Sequence, residues 1–139
     1  MEATSVSAVL FVKNLKRVSA FYAQALGMNC TLSDEHHFVL NCRGFNLIVH
    51  QIPQHIADGI VLQQPPHRRV EGALRLNFPV HSISETRRLA RSLGGDVDDT
   101  PPQWAEPNAN VFLGCDPEGN VFKVSQHIMQ TGRDEGEKL

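Results

Sequence analysis

The chain is 139 residues long, 41% hydrophobic and 20% charged, a make-up that suits one ordinary globular domain with a single shared core. A formal net charge of −2, with no Lys/Arg stripe interleaved with aromatics, argues against nucleic acid as a partner, and no apolar run is long enough for a membrane span. Its first residues lack the charged-then-apolar pattern of a signal segment, and Cys30, Cys42 and Cys115 are odd in number without CxxC spacing, so a cytoplasmic protein with reduced thiols is expected.

Residues 6–12 are β-branched or apolar with weak alternation and predict a strand. Asn14 suits the N-cap, where a short side-chain acceptor meets the unpaired amides of a first helical turn. Leu15, Val18, Phe21, Tyr22, Ala25 and Leu26 then recur at helical spacing, and Gly27 fits the residue just past the helix end. Short strands follow at about 28–33, 36–42 and 45–51, the last two separated by the tight-turn pair Arg43-Gly44. His36 and His37 are consecutive, so on a strand they point to opposite faces and serve one site poorly. Residues 52–72, with Pro53, Gly59 and Pro65-Pro66, read as a linker. Arg68-Arg69 and Arg87-Arg88 read as solvated surface.

Leu74, Leu76, Phe78 and Val80 then alternate with Arg75, Asn77 and Pro79, which makes 74–80 the cleanest half-buried strand of the chain. Ser82 or Ser84 caps a helix that buries Ile83, Thr86, Leu89, Ala90 and Leu93 and closes at Gly94-Gly95. Val97 marks a short strand, and 100–110 is a loop carrying Trp104. Strands at about 110–115 and 120–126 flank Asp116-Pro117-Glu118-Gly119-Asn120, whose chemistry is that of a turn. Phe11, Phe38 and Phe112 are assigned to the core, and 128–139 is a polar tail. Strand, helix and three strands thus occur twice, an internal repeat with modules over about 5–51 and 73–127 inside one domain spanning 1–127. Each module buries one sheet face under its helix; the other face needs a partner or a ligand.

Val12-Lys13-Asn14-Leu15, Phe21-Tyr22, Leu26-Gly27 and, above all, Cys115-Asp116-Pro117-Glu118-Gly119-Asn120 before a strand resemble the vicinal oxygen chelate superfamily. That group includes glyoxalase I, extradiol dioxygenases, fosfomycin-resistance enzymes and bleomycin-resistance proteins. The resemblance covers nearly the whole chain. It implies an α+β fold of two βαβββ modules forming a cup-shaped curved mixed sheet, often completed across a homodimer. In the enzymes of the group, four cup residues, usually His and Glu, hold a divalent metal with open coordination positions for Lewis-acid catalysis.

Counted along the strands, those four places fall here on Ser7, Arg75, Lys123 and Val49, with His50 one residue from the last. Serine is a poor ligand for such ions, arginine cannot ligate, and lysine normally carries its proton. Two cations also repel a divalent ion. The resemblance therefore comes without its metal chemistry, and no cofactor is expected.

Alternation alone assigns the faces of the strands. Apolar Leu74, Leu76, Phe78 and Val80 turn to the helix, sending Arg75 and Asn77 into the cup; Phe122 and Val124 send Val121, Lys123 and Ser125 there. For 45–51 alternation turns Asn46 and His50 inward, whereas counting from the family turns Val49 inward; the polarity argument is preferred. Ser7, His50, Arg75, Asn77 and Lys123, with Trp104 stacking at the mouth, then suit a small organic anion. Structural alternatives stand beside each: Arg75 pairing with a carboxylate of the other module, Lys123 extending to the rim, His50 as an exposed strand end, Trp104 as a cap on the sheet edge. The expected function is binding or sequestration of a small anionic molecule by a homodimer. The alternative is a glyoxalase-like lyase, isomerase or dioxygenase with non-standard ligands, recruiting His36, His37 or His50.

Overall fold

The computed structural model describes residues 5–106 and 108–126, so the tail expected over 128–139 lies outside the described residues. The first module runs β1 (Ser7–Val12), α1 (Leu15–Ala25), β2 (Asn29–Ser33), β3 (His37–Cys42) and β4 (Phe45–Gln51). A short helix, α2 (Gln54–Ala57), sits in the linker. The second module runs β5 (Asn77–Val80), α3 (Ile83–Ser92), β6 (Asp96–Val97), β7 (Val111–Cys115) and β8 (Val121–Gln126). Each module is a four-stranded mixed sheet, ordered β1-β4-β3-β2 and β5-β8-β7-β6, with the first and last strands of the module pairing in parallel. The fold is α+β, two βαβββ modules.

Local chemistry explains the helix ends. The Asn14 side chain accepts from the Arg17 amide at 3.1 Å, and Gly27 takes a positive φ of 70° just beyond α1. Ser82, not Ser84, caps α3, accepting from the Glu85 amide at 3.2 Å. The helices turn their apolar sides onto one core that runs through both modules. Phe21 and Tyr22 of α1 meet Phe122 with ring centroids 5.8 and 6.3 Å apart, and Tyr22 meets Phe78 at 5.9 Å. These are offset and edge-on contacts of the kind aromatic quadrupoles favour.

A second link between the modules is polar. The turn between β7 and β8 carries Asp116, wholly buried, and Glu118, 4% exposed. Glu118 accepts the backbone amides of Lys13 (2.8 and 3.0 Å) and Asn14 (2.6 Å), which closes the N-terminus of α1 from the other half of the chain. Asp116 accepts the Tyr22 hydroxyl as well as the amides of its own turn.

Three expectations need correction. The strand expected over 74–80 begins at Asn77, and Leu74 is 78% exposed. Its ladder neighbour is β8, and in the parallel register that pairs Asn77 with Lys123 Leu74 falls opposite Asn120, one residue before β8 begins. Phe11 is 58% exposed, because the parity that buries Ala8, Leu10 and Val12 under α1 turns Phe11 the other way. Phe38 and Phe112 do pack against the core. Arg68 and Arg87 are not merely solvated surface. Arg68 bridges to Asp98 at 2.8 Å, and Arg87 donates to the Asp98 carbonyl at 2.7 Å while lying over the Phe112 ring. Together they fasten the loop after β6.

Candidate functional site

The face of each sheet turned away from its helix is the place where chemistry can be presented. On the first sheet the register lines residues of β1, β4 and β3 into three rows. Ser7, Asn46 and Asn41 form an amide-rich row, in which the Asn41 side-chain nitrogen donates to Asn46 Oδ1 at 2.9 Å. Val9, Ile48 and Val39 form an apolar row. Phe11, His50 and His37 form the third, with the His50 ring 5.6 Å from Phe11 and stacked 6.0 Å from His37 at an interplanar angle of 18°.

Val49 is fully buried on the opposite face, so His50 is the β4 residue that emerges with Ser7. That is the side alternation favours. His50 Nδ1 lies 2.9 Å from the Gln51 carbonyl, an oxygen that can only accept, so Nδ1 is the donor in that contact. His37 Nδ1 lies 3.0 Å from Asp34, whose carboxyl is held below its usual range mainly by the His36 and His37 backbone amides.

On the second sheet, Asn77, Lys123 and Leu113 make one row, and Pro79, Ser125 and Val111 the next. The Lys123 ammonium lies 5.8 Å from the Trp104 ring centroid, within cation–π reach. Trp104 itself is 64% exposed. Lys123 forms no ion pair among the described residues. Among the described residues this cation has an aromatic wall and no carboxylate partner, a combination suited to an anion.

Arg75 stands apart from this group. It lies before β5, and its guanidinium donates to the Val70 carbonyl over 3.4 Å. It borders a cavity of about 200 Å³ at the junction of the modules, together with Arg69, Leu10 and Phe122. Of the six residues singled out from sequence, then, Asn77, Lys123 and Trp104 come together on the second sheet. Ser7 and His50 share a face of the first, two rows apart, and Arg75 sits at the junction.

A metal at the family's usual places does not fit these side chains. Ser7, Arg75 and Lys123 offer a neutral hydroxyl and two cations without lone pairs to give. Among the described residues no group of three or more His, Cys, Asp or Glu is placed to hold an ion. Sequence reasoning did not single out His37 as the neighbour of His50, nor Asn41 and Asn46 as a pair. Those depend on the β3–β4 register, and the only signal for that register was the Arg43-Gly44 turn.

Among the described residues no helix is long and apolar enough to cross a membrane. Residues 7–125 match the family model described as a glyoxalase-like domain. No curated protein matches the chain. Among solved structures, it is similar to a glyoxalase/bleomycin resistance protein from Albidiferax ferrireducens T118, at 16% identity and a TM-score of 0.61, covering 88% of this chain and 98% of that one. It is similar also to the genomically encoded fosfomycin resistance protein FosX from Listeria monocytogenes, at 16% identity and a TM-score of 0.63, covering 93% and 97%. A glyoxalase-related enzyme from Fulvimarina pelagi has a TM-score of 0.59 at 17% identity, covering 91% and 89%.

Proposed function

This chain belongs to the glyoxalase-like family, and from that premise we propose that it binds a small organic anion between its open sheet faces without a divalent metal. The observation that carries the reading is Lys123. It occupies a place where the metal enzymes of the superfamily usually have glutamate, it has no carboxylate partner among the described residues, and Trp104 walls it on one side. Asn77 beside it adds a neutral donor for the ligand's remaining oxygens.

Ser7 and His50 supply the facing wall, and Arg75 stands at its margin. In one chain the first sheet leaves Val9 50% and Phe11 58% exposed, so a second copy is the natural cover for that face. The proposed working unit is a homodimer in which the His50 face of one copy meets the Lys123 face of the other. Three free cysteines support a reducing, cytoplasmic setting.

The His37–His50 stack supports a second reading, an enzyme of the lyase or dioxygenase type whose metal is held by recruited imidazoles. Native mass spectrometry of the purified protein, before and after exposure to Ni, Zn, Mn and Fe(II), separates the two. Binding predicts a dimer with a small organic adduct that Lys123→Ala removes and no stoichiometric metal. One metal per site at near-full occupancy overturns the proposal and favours the enzyme.

A further inference from the structure

The cavity at the module junction has a chemistry of its own. It lies beside β1, an edge strand of the first sheet, and it holds about 200 Å³. Leu10, Leu47, Leu76 and Phe122, all packed into or against the core, form its walls, and Arg69 and Arg75 border it. Among the described residues Arg68, Arg87, Arg88 and Arg91 each reach a carboxylate at 2.5 to 3.4 Å. Arg69 and Arg75 form no ion pair among the described residues. Two guanidinium groups beside an apolar hollow offer a bidentate seat for an anion and a dry place for the hydrocarbon attached to it.

Size narrows the class. An apolar cavity of about 150 Å³ admits benzene. One of about 200 Å³ therefore takes a single ring with one or two further carbons. We propose that the junction cavity binds a monocarboxylate with one aromatic ring, its carboxylate held by Arg69 and Arg75 and its ring against Leu10, Leu76 and Phe122. Those four wall residues lie on the helix-facing sides of the sheets, and Val9 and Val121 border the cavity from the open-face side. Its walls come from β1 and β4 of one module and from β8 and the approach to β5 of the other, so an occupant ties the modules together.

Phenylacetate titrated into the ¹⁵N-labelled full chain, with phenylacetamide and inorganic phosphate as controls, tests the assignment. The expected result is a set of amide shifts centred on Ala8, Val9, Leu10, Gly72 and Val121. Phenylacetamide, without the charge, should bind about tenfold more weakly, and Arg69→Ala should weaken phenylacetate by about the same factor. Inorganic phosphate, without a ring, should not compete at equal concentration. The place of the shifts, on these backbone amides rather than around Lys123 and Trp104, separates this site from the open-face proposal. No binding, shifts centred on Lys123 and Trp104, equal affinity for acid and amide, or an Arg69→Ala variant that binds like wild type would each overturn it. Arg69 is exposed, so its truncation leaves the core intact.

Discussion

The Tyr22 hydroxyl donates to Asp116 Oδ2 at 2.8 Å, and both residues are buried between the modules. The carboxylate also accepts from the Glu118 and Asn120 amides and from the Asn120 side chain, yet burial outweighs these bonds and raises Asp116 above its ordinary value of 3.8. An acid raised in the folded state stabilises that state fully below its ordinary value, and the contribution is lost as pH climbs through the folded value. Wild-type stability should therefore fall, relative to Asp116→Asn, as pH rises from about 4. Urea midpoints of both proteins across that range check this; a constant difference rejects it. Tyr22→Phe removes one bond to the carboxylate and should cost about 1–3 kcal/mol in the same assay.

Glu118 holds the segment that leads into α1 by accepting three bonds from the amides of Lys13 and the N-cap Asn14. Glu118→Ala leaves those partly buried amides without their carboxylate partner and should lower stability by about 1–2 kcal/mol, with Glu118→Gln losing less because one oxygen acceptor remains. Chemical denaturation gives the ranking. If Gln costs as much as Ala, charge rather than acceptor number governs the contact.

Gly114 is a position of close approach. A Cβ there would stand 2.5 Å from the Asp96 carbonyl and 2.8 Å from the Phe122 ring. Gly114→Ala forces a shift of β6 or of the aromatic core and should cost about 1–3 kcal/mol, read as a lower thermal midpoint. A neutral substitution would mean that β6, only two residues long, yields without penalty.

Trp104 is the single tryptophan and is 64% exposed in one chain. A homodimer that closes the open faces moves it out of water. Its emission should shift to shorter wavelength as protein concentration rises through dimerisation, and Phe11→Asp on the opposing face should abolish the shift. Emission that is independent of concentration while sedimentation reports a dimer would place the interface elsewhere.

Elements whose causes are local were legible in the sequence. Asn14, the apolar spacing from Leu15 to Leu26, and Gly27 define α1 within a few neighbouring residues, and the helix forms there. The choice of His50 over Val49 also followed from alternation, because burial parity is a property of one strand. What stayed hidden depends on partners far away in the chain. The turn chemistry of residues 116–120 was plain, but nothing in it points to Tyr22 or to the amides of Lys13 and Asn14. Likewise Leu74 looked like a core residue until β8 ran out beside it, and Phe11 looked like one because aromatics on strands usually are. Arg75 shares the parity of Asn77, but a side chain that long reached the junction from a position before the strand began.

The interlock between the two halves is one-sided. Counting from the turn glycines Gly119 and Gly44, the first module has Asn41 where the second has Asp116, and Arg43 where it has Glu118. Counting from the helix-ending glycines Gly27 and Gly94, Leu89 stands where the first module has Tyr22. The N-terminus of α3 is met instead by Gln126 of its own module, which accepts the Ile83 amide at 2.9 Å. Two copies of either half, brought together, would lack one side of the latch. The repeated units have diverged into a matched left and right, so this chain behaves as a fused heterodimer whose halves can no longer replace one another.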